Sequence, residues 1–323
     1  MAIMAVPDRS NQKLTRKEHI VPRLLLTNFG DPAGVLWVYS KNQPARRSTA
    51  ENECVEKDFY EYELNGRKTN NKYEDWLARI ETDASAVLRR LVNHQQLTDR
   101  EVAIWAIFVA ALFVRTRKVR MQISENMVRE FKKKTEDPAF IRELQYELLQ
   151  KGEMVYADDI KKDVDKLRAA MDASPSFYHV SGLPQHTESL SQPLMRKRWY
   201  TIDAPPGKSF LISDCPVMTV ELNGNQVTPG AGFGKDNVAV LLAVTSQKLF
   251  VAAPHDGRNW MAVATPAGVD IINRLIVSFG HRNVYANADS ADTQFLVDTE
   301  INRLVFGQNV FLPSSAAGLE KRV

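Results

Sequence analysis

The sequence predicts an α+β fold: a single domain in which a helical block packs on a mainly antiparallel sheet. Three observations carry this. Between about residues 70 and 172, apolar side chains recur every three to four positions, the period of an amphipathic helix. Between 197 and 253, short apolar runs alternate with turn signals, the mark of strands. Helices and strands are thus segregated along the chain, which argues against an alternating parallel α/β fold. The 323 residues, 44% apolar and 25% charged, supply a sizeable core.

Residues 1–18 read as a polar arm and 307–323 as a C-terminal tail, leaving 19–306 as the domain. His19-Ile-Val-Pro-Arg-Leu-Leu-Leu-Thr-Asn-Phe29 reads as a short helix. Pro22 suits its first turn and Gly30 its stop. Pro22 also pushes Val21 towards extended backbone, which leaves His19 just outside the helix and Arg23 in its first turn. Val35–Tyr39 and Asp58–Leu64 read as strands added to the main sheet, with 42–53 a polar loop between them.

A helix follows from Tyr73 to about Val92, with Glu74, Glu81 and Asp83 on it. Glu81 lies beside the apolar stripe, either exposed at its boundary, paired with a basic neighbour, or serving as a catalytic or ligand-binding carboxylate. Thr98-Asp99-Arg100-Glu101 is a capping box. The helix it starts is expected to run to about Lys134, apolar all round from Ile104 to Phe113 and therefore central. Arg115 emerges from that buried stretch, where its planar fork suits either an anion or a structural carboxylate such as Glu81. Helices are expected from Asp137-Pro138 to about Lys151 and from Asp158 to Met171. Residues 173–192, rich in Ser, Pro, His and Thr, read as a connection.

Strands are expected at 199–202, 209–212, 217–222, 238–244 and 249–253, and Asp214 falls at a strand end before Pro216. Thr265-Pro266 caps a helix to about Phe279, containing Asn273. A final strand leads out of His281-Arg282, and Ser290 to about Val305 forms the last helix.

Several function classes are excluded or weakened. The net charge of +3 and pI of about 8.7 fit an anionic ligand without implying nucleic acid. The basic residues of 118–134 lack interleaved aromatic residues for base stacking and read as a solvated face. The apolar run Val102–Val114 falls short of the roughly 20 residues of a membrane span. The N-terminus lacks the apolar core of a signal peptide, and two cysteines make no disulfide framework, so a cytoplasmic setting is expected. Gly230–Lys235 is not a phosphate loop, because Asp236 follows the lysine. His179 and His186 have no acidic or thiol partner at metal-site spacing, and no Gly-x-Ser-x-Gly elbow exists.

Taken together, His19-Ile-Val-Pro-Arg with Asn28-Phe29, Ile80-Glu81, Arg115-Thr116, Ile212-Ser213-Asp214-x-Pro216-Val217, Leu242–Leu249, Asn273 and Arg282-Asn283-Val284-Tyr285 resemble the bacterial proteins grouped as domain of unknown function family 4238. The resemblance spans about 18–288. Arg23 stands where that family usually shows glutamine, and Cys215 where it commonly shows asparagine. The resemblance implies no established reaction.

The polar residues in these motifs suggest a site for an anion, as a hydrolase of a phosphodiester or nucleotide, a nuclease-like effector, would need. His19 would serve as general acid or base, and Asp214 or Glu81 would orient it or hold a divalent metal. Arg23, Asn28, Arg115, Asn273 and Arg282 would bind an anionic small molecule or nucleic acid. The alternative is a non-catalytic binding protein in which the same residues form structural ion pairs, such as Arg115 with Glu81.

Overall fold

The computed structural model describes residues 17–57, 59–60, 63–64, 67–68, 72–137, 139–173, 177–223, 226–230, 232–255 and 264–303. About 50% of it is helical and 20% strand, with antiparallel sheets packed against helices, an α+β fold. Among the described residues no helix is long and apolar enough to cross a membrane.

The chain opens with β1 (Lys17–His19), then α1 (Arg23–Leu26) and a 3-10 turn (Thr27–Phe29). The helix expected over His19–Phe29 is therefore split: Pro22 is extended at ψ 143°, and His19 belongs to a strand. Lys17 and Glu18 are in that strand too, so the described fold begins before residue 19. Next come β2 (Val35–Ser40), β3 (Arg46–Thr49), β4 (Val55–Lys57) and the ribbon of β5 (Glu63–Leu64) and β6 (Arg67–Lys68). β3 replaces the loop expected at 42–53; it is a largely exposed edge strand, where polar residues belong. Of the strand expected over 58–64, Glu63–Leu64 forms as β5, while Phe59-Tyr60 make a turn whose rings are buried edge to face at 5.1 Å; residues 58, 61 and 62 lie outside the described residues.

The helical block runs α2 (Lys72–Val92), α3 (Asp99–Val114), α4 (Arg117–Thr135), α5 (Phe140–Gln150), α6 (Ala157–Ala173), α7 (Phe177–Ser181) and α8 (Leu183–Met195). The capping box forms at Thr98 as expected. The single helix expected to Lys134 instead breaks at Arg115-Thr116, because Thr116 is extended at ψ 147° and its hydroxyl donates to the Phe113 carbonyl at 3.0 Å. α7 and α8 replace the connection expected at 173–192. Pro184 falls in the first turn of α8, where its missing N–H costs nothing, and Leu183, Thr187, Ser191 and Leu194 bury one face against α3.

The strands then follow as β7 (Arg198–Asp203), β8 (Ile212–Ser213), β9 (Val217–Asn223), β10 (Gln226–Pro229), β11 (Val238–Thr245) and β12 (Lys248–Ala253). α9 (Pro266–Phe279), β13 (Asn283–Ala286) and α10 (Ala291–Glu300) finish the described chain. Two larger sheets form rather than one. The first has the order β10-β9-β11-β12-β7, and the second β3-β2-β13-β8. Thus β2 joins β13 and not the 197–253 sheet. α3 lies against the first sheet, with Trp105 edge to face on Phe250 at 5.8 Å. A separate apolar cluster of Ile20, Phe59, Tyr60, Tyr73, Leu77, Ala111, Val114, Val180 and Leu183 gathers where β1, α2 and the end of α3 converge.

Candidate functional site

α2 carries two acidic residues two turns apart, Glu74 and Glu81, which this spacing puts on one face with Leu77 between them. α3 ends against that face and delivers Arg115 as its C-terminal cap. β1 brings Glu18 to the Phe59-Tyr60 turn and near Glu74, and His19, the next residue of the strand, near Glu81.

Arg115 is the centre. It is 1% exposed, yet its Nη1 donates to Glu81 Oε1 at 2.6 Å while Nε and Nη2 have no partner among the described residues. Those two nitrogens form the edge of the guanidinium that pairs with two oxygens at once. A buried ionic donor without a partner is costly.

His19 is half-buried, and its Nε2 is likewise without a partner. Burial lowers its pKa; hydrogen bonding to the backbone of Glu51 and Ala50 opposes this, Arg23 adds to it, and the charge of Glu81 opposes it. The imidazole is neutral near pH 7. Since Nε2 is unpartnered, Nδ1 is the nitrogen left for the backbone contact, and Nε2 carries the free lone pair of a base.

Glu74 has its pKa pushed up to about 7, chiefly by burial and next by the charge of Glu18, with Arg115 pulling the other way. Glu18 is 3% exposed and accepts the Tyr60 N–H at 3.0 Å. The Tyr60 hydroxyl is pushed up by burial against the opposing pull of Arg115. Two carboxyl groups on one helix face thus sit in different settings: Glu81 is held by an arginine, and burial raises the pKa of Glu74 to about 7.

The remaining residues singled out by sequence lie elsewhere. Both oxygens of Asp214 accept backbone N–H groups, from His281 at 2.7 Å, Arg282 at 2.8 Å and Asn283 at 3.3 Å. Burial raises its pKa and these bonds oppose the rise. No contact joins Asp214 to His19 among the described residues. Asn273 donates to the Ser209 carbonyl at 2.8 Å and accepts from the Leu211 N–H at 2.9 Å. That bracket stands in for the ladder expected at 209–211, and the strand forms only from Ile212. Asn28 donates to the Leu24 and Val244 carbonyls. Arg23 is exposed, 3.9 Å from Glu51, and the Arg282 side chain is exposed. His179 donates its Nε2–H to the Val114 carbonyl at 2.7 Å and lies in the core.

The structure therefore unites His19, Glu81 and Arg115 and adds Glu74, Glu18 and Tyr60. Glu74 had one legible signal, its seven-residue spacing from Glu81. Glu18 and Tyr60 had none, because only the pairing of β1 with β4 and the turn after it bring them in. Among the described residues no group of three His, Cys, Asp or Glu side chains is arranged to hold a metal.

A family model described as "Protein of unknown function (DUF4238)" matches residues 17–290. Searches of curated proteins and of solved structures found no match.

Proposed function

The chain belongs to this family of unknown function, and from its site we propose a hydrolase acting on a phosphodiester or nucleotide. The observation that carries the reading is the unpaired edge of the buried Arg115, whose ion-pair partner Glu81 also acts on His19, itself with an unpartnered Nε2. The Nε and Nη2 edge takes two non-bridging phosphate oxygens. His19 Nε2 accepts the proton of an attacking water, and Glu74, protonated up to about pH 7, returns a proton to the leaving oxygen. Glu81 holds the guanidinium in place through Nη1 and steadies the imidazolium as it forms. The apolar wall of Phe59, Tyr73 and Leu77 strengthens each of these charge contacts by excluding water. The setting we infer is the bacterial cytoplasm, supported by two free cysteines, with an anionic small molecule or nucleic acid as partner.

One observation favours the non-catalytic alternative: the Arg115–Glu81 ion pair is made. Two measurements separate the readings. Inorganic phosphate raises the melting temperature of the wild type, but not of Arg115→Lys, if the open edge holds an anion. His19→Asn lowers kcat on bis(4-nitrophenyl) phosphate and cyclic nucleotides by about 100-fold or more, with stability little changed. Absence of any phosphate shift, together with a large drop in melting temperature for His19→Asn, returns the residues to a structural role.

A further inference from the structure

One guanidinium serves two carboxyl groups of the same helix face. Arg115 makes its ion pair with Glu81 and acts electrostatically on Glu74 as well. The other charges at Glu74 are negative: Glu18 from β1, and Glu81 and Asp75 from α2 itself. The Tyr60 hydroxyl, in the turn, feels Glu74 in return. Arg120 of α4 is coupled to Glu18 and Tyr60, and His19 to Glu81. The unpaired Nε and Nη2 edge of Arg115 is therefore a buried set of anion donors with acidic groups around it.

An anion seated on that edge adds a negative charge where Glu74 already resists ionisation, its pKa standing at about 7. Two negative charges drawn to one guanidinium away from water repel each other strongly. The bound state of lower energy is the one in which Glu74 carries a proton. We propose that the Arg115 edge takes up its anion together with a proton on Glu74, an inference that rests on the anion site proposed above and adds its regulation. Such linkage is reciprocal: the anion raises the proton affinity of Glu74 by the factor by which the proton raises the anion affinity. The ligand is held at neutral and acidic pH and released as pH rises. For hydrolysis the linkage has a second consequence. Substrate arrives on a protein whose general acid already holds its proton. Once that proton has gone to the leaving oxygen, the Glu74 carboxylate repels the phosphate product and weakens its hold.

Sulfate, which keeps both of its charges between pH 7 and 8.5, is the probe. The full chain is titrated with it by calorimetry at both pH values, in two buffers of different ionisation heat, so that proton uptake is counted directly. His19 is already neutral across this range and adds little. The wild type binds sulfate about tenfold or more weakly at pH 8.5 than at pH 7, and takes up close to one proton per ion at pH 8.5. Glu74→Gln binds with nearly equal affinity at both pH values and takes up no proton. Sulfate binding to the wild type that is equal at both pH values and free of proton uptake overturns the linkage and leaves the anion site standing. So does a Glu74→Gln protein that still takes up a proton. Absence of sulfate binding at either pH value overturns the anion site itself, and the linkage with it.

Discussion

Glu74 concentrates the physics of the site in one side chain. Its folded pKa of about 7 lies above the ordinary carboxyl value, so the folded state keeps a proton that the unfolded chain has lost. Its contribution to stability is therefore most favourable below about pH 4.5 and declines as pH rises through about 7. Glu74→Gln removes that cost. The variant is expected to gain about 1–3 kcal/mol over the wild type at pH 8 and little at pH 4.5. Urea denaturation at the two pH values measures the difference. The same change removes the proposed acid, so activity falls while stability rises, a sign common at catalytic groups. A Glu74→Gln protein that is less stable at pH 8 would contradict the buried-acid reading.

At the scale of elements, Asp214 shows how a residue that looks catalytic in sequence can hold the fold. It sits where β8 ends, and its carboxylate gathers the three N–H groups that lead into β13. β13 in turn pairs with both β2 and β8, so the second sheet depends on this anchor. Asp214→Ala leaves three N–H groups without their acceptor and is expected to cost about 2–4 kcal/mol, read by chemical denaturation. Asn recovers little, because its amide turns a donor towards the same donors. An Asp214→Ala protein of wild-type stability would refute the anchor. The contrast explains what the sequence made legible. α2, α3, β9, β11 and β12 follow their apolar periods because each buries one or both faces. α8 did not announce itself, since its Ser, Thr and Pro residues favour turns until packing on α3 overrides them. The break after Val114 was hidden because polar residues continue a helical pattern across it. At the site, Arg115, Glu81 and His19 stood out as polar groups within apolar segments, whereas Glu18 and Tyr60 became partners only through strand pairing distant in sequence.

For the molecule as a whole, the buried titratable groups set a direction for stability against pH. His19, His179, His186 and His281 all have lowered pKa values, each chiefly from burial, with His179 brought down to about 4. For such groups the unfolded chain takes up protons first as pH falls, so their contribution is full above about pH 6.5 and is lost below it. Glu74 and Asp214 act in the opposite sense, as their raised values favour the folded state most at low pH. Between about pH 4 and 6.5 four histidines oppose two carboxyl groups, and stability is expected to rise with pH across that window. Among the histidines His179 contributes most steeply, being fully buried with its Nε2–H on the Val114 carbonyl at the C-terminal end of α3. His179→Gln keeps an N–H donor at similar reach and removes the titration. The stability difference between pH 7 and pH 5 should then shrink by about 2 kcal/mol, although the smaller side chain lowers stability at both. Urea curves for wild type and variant at pH 5, 6, 7 and 8 give that difference directly. An unchanged slope in His179→Gln would move the acid sensitivity to the other three histidines, with His281 next because Arg282, Arg117 and Lys118 add to the effect of its burial.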